Sequence, residues 1–200
     1  MKLPVEFYQS KEVVTIARNL LGKYLFTNIK GKISGGFIVE TEAYNGITDK
    51  ASHAFGNRQT NRTKTMYAAG GVAYVYLCYG IHEMLNVVTS EEGEPHAVLI
   101  RAINPTEGLD LMLERRKMIS LKNKLTAGPG SVAKALGVNR TMNNFSFLGE
   151  EIWIEDRGLS FKNEEIAAVP RVGVAYAKED ALLPYRFFVK GNPFVSKPNR

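Results

Sequence analysis

Short runs of alternating apolar and polar side chains dominate the first half of the sequence, and the run from Gly35 to Tyr44 constrains the fold most. It reads GGFIVETEAY, so an apolar stretch leads directly into two glutamates and a tyrosine. Successive side chains of a β-strand point to opposite faces, and the pattern therefore places Glu40, Glu42 and Tyr44 on one face. Two carboxylates and a phenol on one face of a half-buried strand raise the question of what function these side chains have.

Similar runs predict further strands and indicate a sheet-rich fold. They are Tyr24–Asn28, Val72–Cys78, Ile81–Thr89 and Ala97–Asn104, followed by shorter strands in EIWIED, RVGVAY and RFFVKG. Tyr79-Gly80 lies between two of these runs and is typical of the tip of a tight hairpin.

Three helices are predicted beside these strands. The first spans Lys11 to Leu21, the second follows Pro105, and the third lies in GPGSVAKALG, with Ser131 as its N-cap and Gly137 at its end. We therefore expect an α+β fold, in which residues 1–200 form a single domain with a largely antiparallel curved sheet, flanking helices and a protruding β-hairpin.

The composition is that of an ordinary globular protein with a modest basic surplus. Hydrophobic residues make up 44% of the chain and the formal net charge is +6. This charge fits an anionic partner such as nucleic acid, and it equally fits a basic protein without such a partner. Cys78 is the one cysteine, so no intramolecular disulfide is possible. It lies in an apolar run and is interpreted as a core residue. We expect an intracellular location, cytoplasmic and near the nucleoid if the source is bacterial, with no signal peptide and no membrane span.

Several polar side chains are candidates for chemistry. Glu42 is either a general base in a pocket or a solvent-facing strand glutamate. Asn86 interrupts the apolar run MLNVV, so it either satisfies a backbone group or lines a pocket. An aromatic side chain at a hairpin tip, Tyr79, has little core to enter and could wedge between base pairs in a minor groove. The three histidines are not at ligand spacing and a single cysteine builds no thiolate site, so no metal and no cofactor are expected.

The loop SHAFGNRQTNRTKTMY is the most basic candidate for ligand contact. It holds Arg58, Arg62 and Lys64 among amide and hydroxyl donors, with little apolar content. Such a loop can follow a phosphate backbone, or it can be a solvated basic loop. His53 lies at its start, where it is either structural or a hydrogen-bond donor to a ligand.

Taken together and in order, these stretches resemble the alkyladenine (3-methyladenine) DNA glycosylase family of the mammalian type, which also occurs in bacteria. The resemblance rests on VETEAY, SHAFGNRQTNRTKTMY, YVYLCYG, LNVV, VLIRA, GPGSVAKALG and PRVGV followed by RFFVKGNPFVS, and covers most of the chain. It implies a monofunctional enzyme, acting as a monomer on double-stranded DNA that contains damaged purines. The damaged base would be flipped out and cut from its sugar, leaving an abasic site.

The resemblance also implies roles for individual residues. Glu42 matches the general base that activates water, Arg101 a residue that helps to hold this water, and Val172 one whose backbone carbonyl does so. The remaining matches are Tyr44, His53 and Tyr76 in the base pocket, Asn86 in exclusion of a 2-amino group, Tyr79 in intercalation, and Arg58, Thr60, Arg62 and Met66 in DNA contact.

One carboxylate is enough for this chemistry when the leaving base is already cationic, as an N3- or N7-alkylated purine is. Glu40 is then a secondary structural or electrostatic group. The implied substrates are 3-methyladenine, 7-methylguanine, hypoxanthine and ethenoadenine, and the acidic turn SEEGEPH before Arg101 is expected to alter one wall of the groove or pocket. Two alternatives stay open from the residues: a non-catalytic minor-groove DNA-binding protein, and a helix–hairpin–helix glycosylase suggested by AGPGS.

Overall fold

A computed structural model describes residues 1–197, and in this range one large antiparallel sheet organises the fold. Its eight strands are β1 (Tyr24–Ile29), β2 (Lys32–Tyr44), β3 (Ala73–Cys78), β4 (His82–Thr89), β5 (His96–Glu107), β6 (Ile152–Glu155), β7 (Ile166–Val169) and β8 (Arg186–Val189). The order is β3-β4-β5-β2-β1-β6, and β8 pairs with both β2 and β7. The predicted α+β class with a largely antiparallel sheet is confirmed.

The long strand β2 lies in the middle of this sheet. It pairs with β1 over its first half, with β5 along most of its length, and with β8 from Glu40 to Glu42. The register against β5 shifts on both sides of Glu40, so the strand carries β-bulges there, which bend a strand and re-aim its side chains. The expectation of a half-buried strand is wrong: residues 38 to 43 are all buried, because Arg101, Arg186 and Ser196 cover the glutamate face and helix α2 (Val13–Asn19) covers the other face. Thr41 on that face donates a hydrogen bond to the Ala17 carbonyl at 2.7 Å.

The helices are short and lie around the sheet. Besides α2 they are α1 (Val5–Tyr8), α3 (Leu109–Arg116) and α4 (Pro129–Leu136), and six 3₁₀ segments are described at Phe55–Asn57, Lys64–Tyr67, Asn123–Leu125, Arg140–Met142, Asn163–Glu165 and Ala175–Leu182. Helices α2 and α4 pack on the sheet, and their apolar side chains join those of β2, β4 and β5 in the core. No helix within residues 1–197 has the length and apolar character that crossing a bilayer requires.

Helix α4 begins earlier than the sequence predicted. Gly128 is its N-cap and Pro129 its first residue, so Ser131 lies inside the helix and is not the cap. Proline at the first helical position has a preset φ and lacks only an N–H that would stay unpaired there, which explains the earlier start. The predicted end is confirmed, since Gly137 adopts the left-handed conformation with φ 72°.

The predicted hairpin is present between β3 and β4. Tyr79 and Gly80 form its tip with φ of 50° and 72°, and the Ile81 amide donates to the Cys78 carbonyl at 3.2 Å. Two successive left-handed residues define the hairpin turn whose twist matches that of the flanking strands. The Tyr79 side chain is 88% exposed there.

The C-terminal part differs more from the expectation. RVGVAY does not form a strand: residues 171–173 form a loop, and a 3₁₀ segment follows from Ala175. Gly173 has φ 76°, which ends the extended conformation that the apolar alternation suggested.

Strand β7 and helix α1 were not predicted, because both are only four residues long and carry no clear period.

Candidate active site

A cavity of about 660 Å³ opens where β2, β3, β4 and β5 meet the loop 171–174, the start of α4 and the C-terminal segment. Ten of the residues proposed from the sequence line it: Glu42, Tyr44, His53, Arg62, Met66, Tyr76, Tyr79, Asn86, Arg101 and Val172. They come from distant parts of the chain, so the fold gathers them. Arg58 and Thr60 do not line the cavity and lie on the exposed loop beside it.

Glu42 is fully buried at the wall of this cavity, and each of its oxygens has a partner. The Val172 amide donates to Oε1 at 2.7 Å, and the Tyr44 hydroxyl donates to Oε2 at 2.9 Å. Nη1 of Arg101 lies 3.3 Å from the same Oε2. The contact from Val172 is made by its amide, whereas the resemblance implied a role for its carbonyl. A carboxylate that accepts two hydrogen bonds and lies beside a guanidinium is held in one orientation, with acceptor capacity left for a further donor.

Tyr44 is held in its protonated form. Burial raises the pKa of its hydroxyl well above the usual range, and the neighbouring Glu42 carboxylate raises it further. The guanidinium of Arg171 lies over the Tyr44 ring, 5.0 Å from the ring centre. The hydroxyl is therefore a fixed donor to Glu42 and the ring forms part of the cavity wall.

Glu40 lies on the same side of β2 as Glu42, as the alternation predicted, since both carboxylates contact Arg101. Its Oε1 accepts from Nε of Arg101 at 2.8 Å and from Nε of Arg186 at 2.7 Å. Burial lowers the pKa of Arg101, but the Glu42 and Glu40 carboxylates more than offset this effect, so the pKa is raised and the charge is retained. Two buried carboxylates thus face two buried guanidiniums.

Three aromatic side chains, His53, Tyr74 and Tyr76, form the wall on the β3 side. Nδ1 of His53 lies 2.9 Å from the Tyr74 hydroxyl, and the His53 ring meets the Tyr76 ring edge-on at 4.7 Å. Burial lowers the pKa of His53 to about 4, helped by the positive charges of Arg62 and Arg58. The imidazole is therefore neutral at neutral pH.

The hydrogen bonds assign the tautomer of His53. Nη2 of Arg62 lies 3.4 Å from Nε2, and an arginine can only donate, so Nε2 is the acceptor. Nδ1 then carries the proton and donates to Tyr74. The guanidinium of Arg62 also lies over the Tyr76 ring at 4.6 Å, so this arginine belongs to the cavity rim and not only to the basic loop.

Hydrogen bonds of a threonine hydroxyl group within the basic loop stabilise its conformation. The Thr60 amide donates to the Thr63 hydroxyl at 2.8 Å, and that hydroxyl donates to the Arg58 carbonyl at 2.8 Å. Arg58, Thr60 and Arg62 are exposed, whereas Met66 is buried beneath them and faces the cavity. Met66 is thus placed away from the exposed surface on which we expected the DNA contacts.

Asn86 and Cys78 also line the cavity. Nδ2 of Asn86 donates to the Tyr74 carbonyl at 3.1 Å, so this residue satisfies a backbone group and faces the cavity at once. Cys78 is partly exposed beside the hairpin tip, and the interpretation of this residue as core is wrong. Tyr74 was interpreted as core and is indeed buried, but it lines the cavity as well.

Two features of the site were not found from the sequence. Asp49 and Arg171 form a buried ion pair, and Arg171 also donates to the Ala43 carbonyl at 2.8 Å, which fixes the loop that carries Val172. Ser196 contacts both Glu40 and Arg101. Asp49 and Arg171 are 122 positions apart, and Ser196 is 95 positions from Arg101 and 156 from Glu40, so no local pattern pairs them.

The acidic turn lies outside the cavity. Among the described residues that line it, none comes from the turn 90–96. Glu91 pairs with Lys11 at 3.0 Å, and Glu94 lies 3.8 Å from His96. The turn therefore adds no residue to the wall of the cavity described above, and its effect on the groove stays a prediction.

Comparison with known proteins identifies the family. A family model described as methylpurine-DNA glycosylase (MPG) matches residues 6–193, and the chain belongs to this family. It is thus a DNA glycosylase, a hydrolase of N-glycosyl bonds that acts in DNA repair. The helix–hairpin–helix alternative is excluded by this membership and by the antiparallel sheet.

Several curated relatives are similar over almost their whole length, and each is named as a candidate 3-methyladenine DNA glycosylase. A protein of Chlamydia felis is 45% identical over 94% of this chain and 95% of its own. One of Clostridium acetobutylicum is 45% identical over 98% of both chains, and one of Clostridium perfringens is 42% identical over 98% of this chain and 100% of its own.

Proposed function

We propose that the protein is a monofunctional glycosylase that flips damaged purines out of duplex DNA and hydrolyses the N-glycosidic bond with a water activated by Glu42. The products are the free base and an abasic site. The substrate class comprises alkylated and deaminated purines: 3-methyladenine, 7-methylguanine, hypoxanthine and ethenoadenine. The observation that carries this proposal is a fully buried carboxylate, oriented by two hydrogen bonds and an ion pair, at the wall of a cavity large enough for a purine.

The chemistry follows from the charge of the leaving base. As the bond between C1′ and the base nitrogen lengthens, its electron pair moves to the base and the sugar gains oxocarbenium character. The water oxygen bonds to C1′, and Glu42 accepts the water proton. Arg101 and Val172 hold this water beside Glu42. A cationic alkylated purine leaves as a neutral molecule and needs no general acid, whereas hypoxanthine and ethenoadenine need protonation or strong hydrogen bonds.

The aromatic wall supplies the base site. Tyr44, His53 and Tyr76 stack on and hydrogen-bond the extruded base, and stacking of this kind contributes about 1–3 kcal/mol per base. A neutral His53 adds no positive charge that would repel a cationic base. Asn86 disfavours a purine with a 2-amino group and so selects against normal guanine. 7-Methylguanine also carries this group, but its positive charge makes it a better leaving group, so its bond to the sugar can still be cleaved.

The exposed residues around the cavity engage the duplex. Tyr79 at the hairpin tip enters the stack and fills the space that the flipped base leaves, offsetting part of the unstacking cost of a few kcal/mol. Arg58, Thr60 and Arg62 contact phosphates, which position the protein without reading sequence. Met66 supports this loop from below.

The test is the variant Glu42→Gln, assayed on duplexes that contain each of the four lesions. Without added metal or cofactor, followed by hot alkali, wild-type protein should give strand breaks at the lesion, and the variant should bind the same duplexes and give none. Glu91→Gln changes an exposed carboxylate and is the control. Excision by Glu42→Gln at the wild-type rate contradicts the proposal, and binding without breaks by the wild type indicates a non-catalytic binder.

A further inference from the structure

We propose that Ser196 and Glu40 are positioning residues for Arg101, so that the C-terminal segment completes the active site. The inference rests on the proposed function, because it gives Arg101 the task of holding the attacking water. The stretch RFFVKGNPFVS belongs to the resemblance, yet none of its residues has a role in the reaction as described above.

The guanidinium of Arg101 is held by three groups in three directions. Nε donates to Glu40 at 2.8 Å, Nη2 donates to the Ser196 hydroxyl at 3.2 Å, and Nη1 lies 3.3 Å from Glu42. A long side chain with one of these contacts could still rotate about its bonds. With all three, the planar group has one orientation, in which its Nη1 edge faces the catalytic carboxylate.

Ser196 is itself fixed at three points. Its amide donates to Oε2 of Glu40 at 2.6 Å, its hydroxyl donates to Oε1 at 2.8 Å, and its carbonyl accepts from Nη2 of Arg186 at 3.1 Å. The hydroxyl therefore donates to Glu40 while it accepts from Arg101. This closes a ring of hydrogen bonds, and Ser196 also forms part of the cavity wall.

Burial supports a positioning role over a purely stabilising one. Glu40 is 0% exposed, and Arg101, Arg186 and Ser196 are each 7% exposed or less. Buried ion networks are a weak source of stability, because desolvation of the charges cancels much of their attraction. Apolar residues would fill the same space as stably, but only polar groups can fix the direction of a guanidinium.

The experiment uses Ser196→Ala in the full chain, with single-turnover excision and lesion-duplex affinity measured at a temperature where the protein is folded by circular dichroism. The variant removes one hydroxyl and keeps the backbone contacts. We expect the excision rate to fall about ten-fold, the size expected for one hydrogen bond to a charged group, with the dissociation constant unchanged within about two-fold. Ser146→Ala removes an exposed hydroxyl that accepts from the Leu148 amide, and should change neither quantity.

A double-mutant cycle separates positioning from general damage. If Ser196 acts through Arg101, Ser196→Ala should lower the rate less than about two-fold in an Arg101→Lys background. Equal effects in both backgrounds would overturn the inference, as would a wild-type rate for Ser196→Ala. Should that variant not fold, Ser196→Cys, which keeps the volume with a weaker donor, is measured in the same way.

Glu42→Gln, run in parallel, keeps the two proposals distinguishable. If it excises normally, the proposed function fails. If it is inactive while Ser196→Ala excises like the wild type, only the positioning role fails.

Discussion

His53 is the histidine whose protonation the fold opposes most. Its pKa falls from 6.5 to about 4, first through burial and then through the charges of Arg62 and Arg58. Between these two pH values the unfolded chain binds a proton that the folded protein does not. The stabilising contribution is therefore complete above pH 6.5 and is lost as the pH falls to about 4, a change of about 3 kcal/mol.

A variant of His53 tests this dependence of stability on pH. His53→Gln keeps a neutral polar side chain that cannot titrate, so its free energy of unfolding should depend less on pH between 6.5 and 4.5 than that of the wild type. Urea unfolding at several pH values measures the difference. His82→Gln makes the same substitution at an exposed position and is the matched control. Equal slopes for His53→Gln and the wild type would contradict the lowered pKa of His53.

Loss of the Glu40 carboxylate should destabilise the protein strongly. Glu40→Gln keeps the shape but leaves Arg186 buried without its carboxylate partner. Breaking a buried pair from one side costs about 3–5 kcal/mol. The free energy of unfolding from urea titration should fall by that amount, against less than about 0.5 kcal/mol for the exposed Glu91→Gln. A loss below about 1 kcal/mol for Glu40→Gln would show that the ion pairs of Glu40 with Arg101 and Arg186 contribute little to stability.

The shared face of Glu40, Glu42 and Tyr44 was predictable, because a period of two is a local property of a strand. The partners of these side chains were not predictable from the residues alone. Arg171 and Asp49 are 122 positions apart, and Ser196 is 156 positions from Glu40. Such pairs are created by the fold and leave no signal in any short window of sequence.

The hairpin of β3 and β4 should act through its tip. Tyr79→Ala should reduce base flipping more than nonspecific duplex binding, because in the proposed role the ring fills the space that the base leaves and makes no charge contact. The emission of a fluorescent base analogue at the target position reports flipping. Ile81→Ala removes another exposed apolar side chain beside the tip, 73% exposed against 88% for Tyr79, and should have the smaller effect. Equal emission changes for Tyr79→Ala and the wild type would contradict the wedge.

Strands and helices were predictable where the pattern was long enough. The five strands of the first half were found with no end shifted by more than three residues, because apolar alternation persists over several positions. RVGVAY shows the limit of this reasoning. Its alternation resembles a strand, but the left-handed Gly173 and the burial of Arg171 as an ion pair decide the local conformation. Both depend on distant parts of the chain.

The effect of the net charge of +6 on DNA binding depends on where the basic residues lie on the molecule. Arg58 and Arg62 lie together on the exposed loop at the cavity rim. Each phosphate that is neutralised adds about 0.9 to the slope of log affinity against log salt. Arg58→Ala should therefore lower this slope by about one, measured by fluorescence anisotropy on undamaged duplex. Lys32→Ala, outside the cavity, should leave it unchanged, and an unchanged slope for Arg58→Ala would remove this arginine from the phosphate contacts.

The central place of β2 has a consequence for how the enzyme fails on heating. Glu42 is paired through its backbone with Leu99 on one side and Arg186 on the other. Its amide hydrogen should exchange with solvent only when the middle of the sheet opens, with the slowest exchanging group of the chain. Thermal inactivation should then coincide with melting and not precede it, because Glu42 keeps its position as long as the strands on either side of it stay paired.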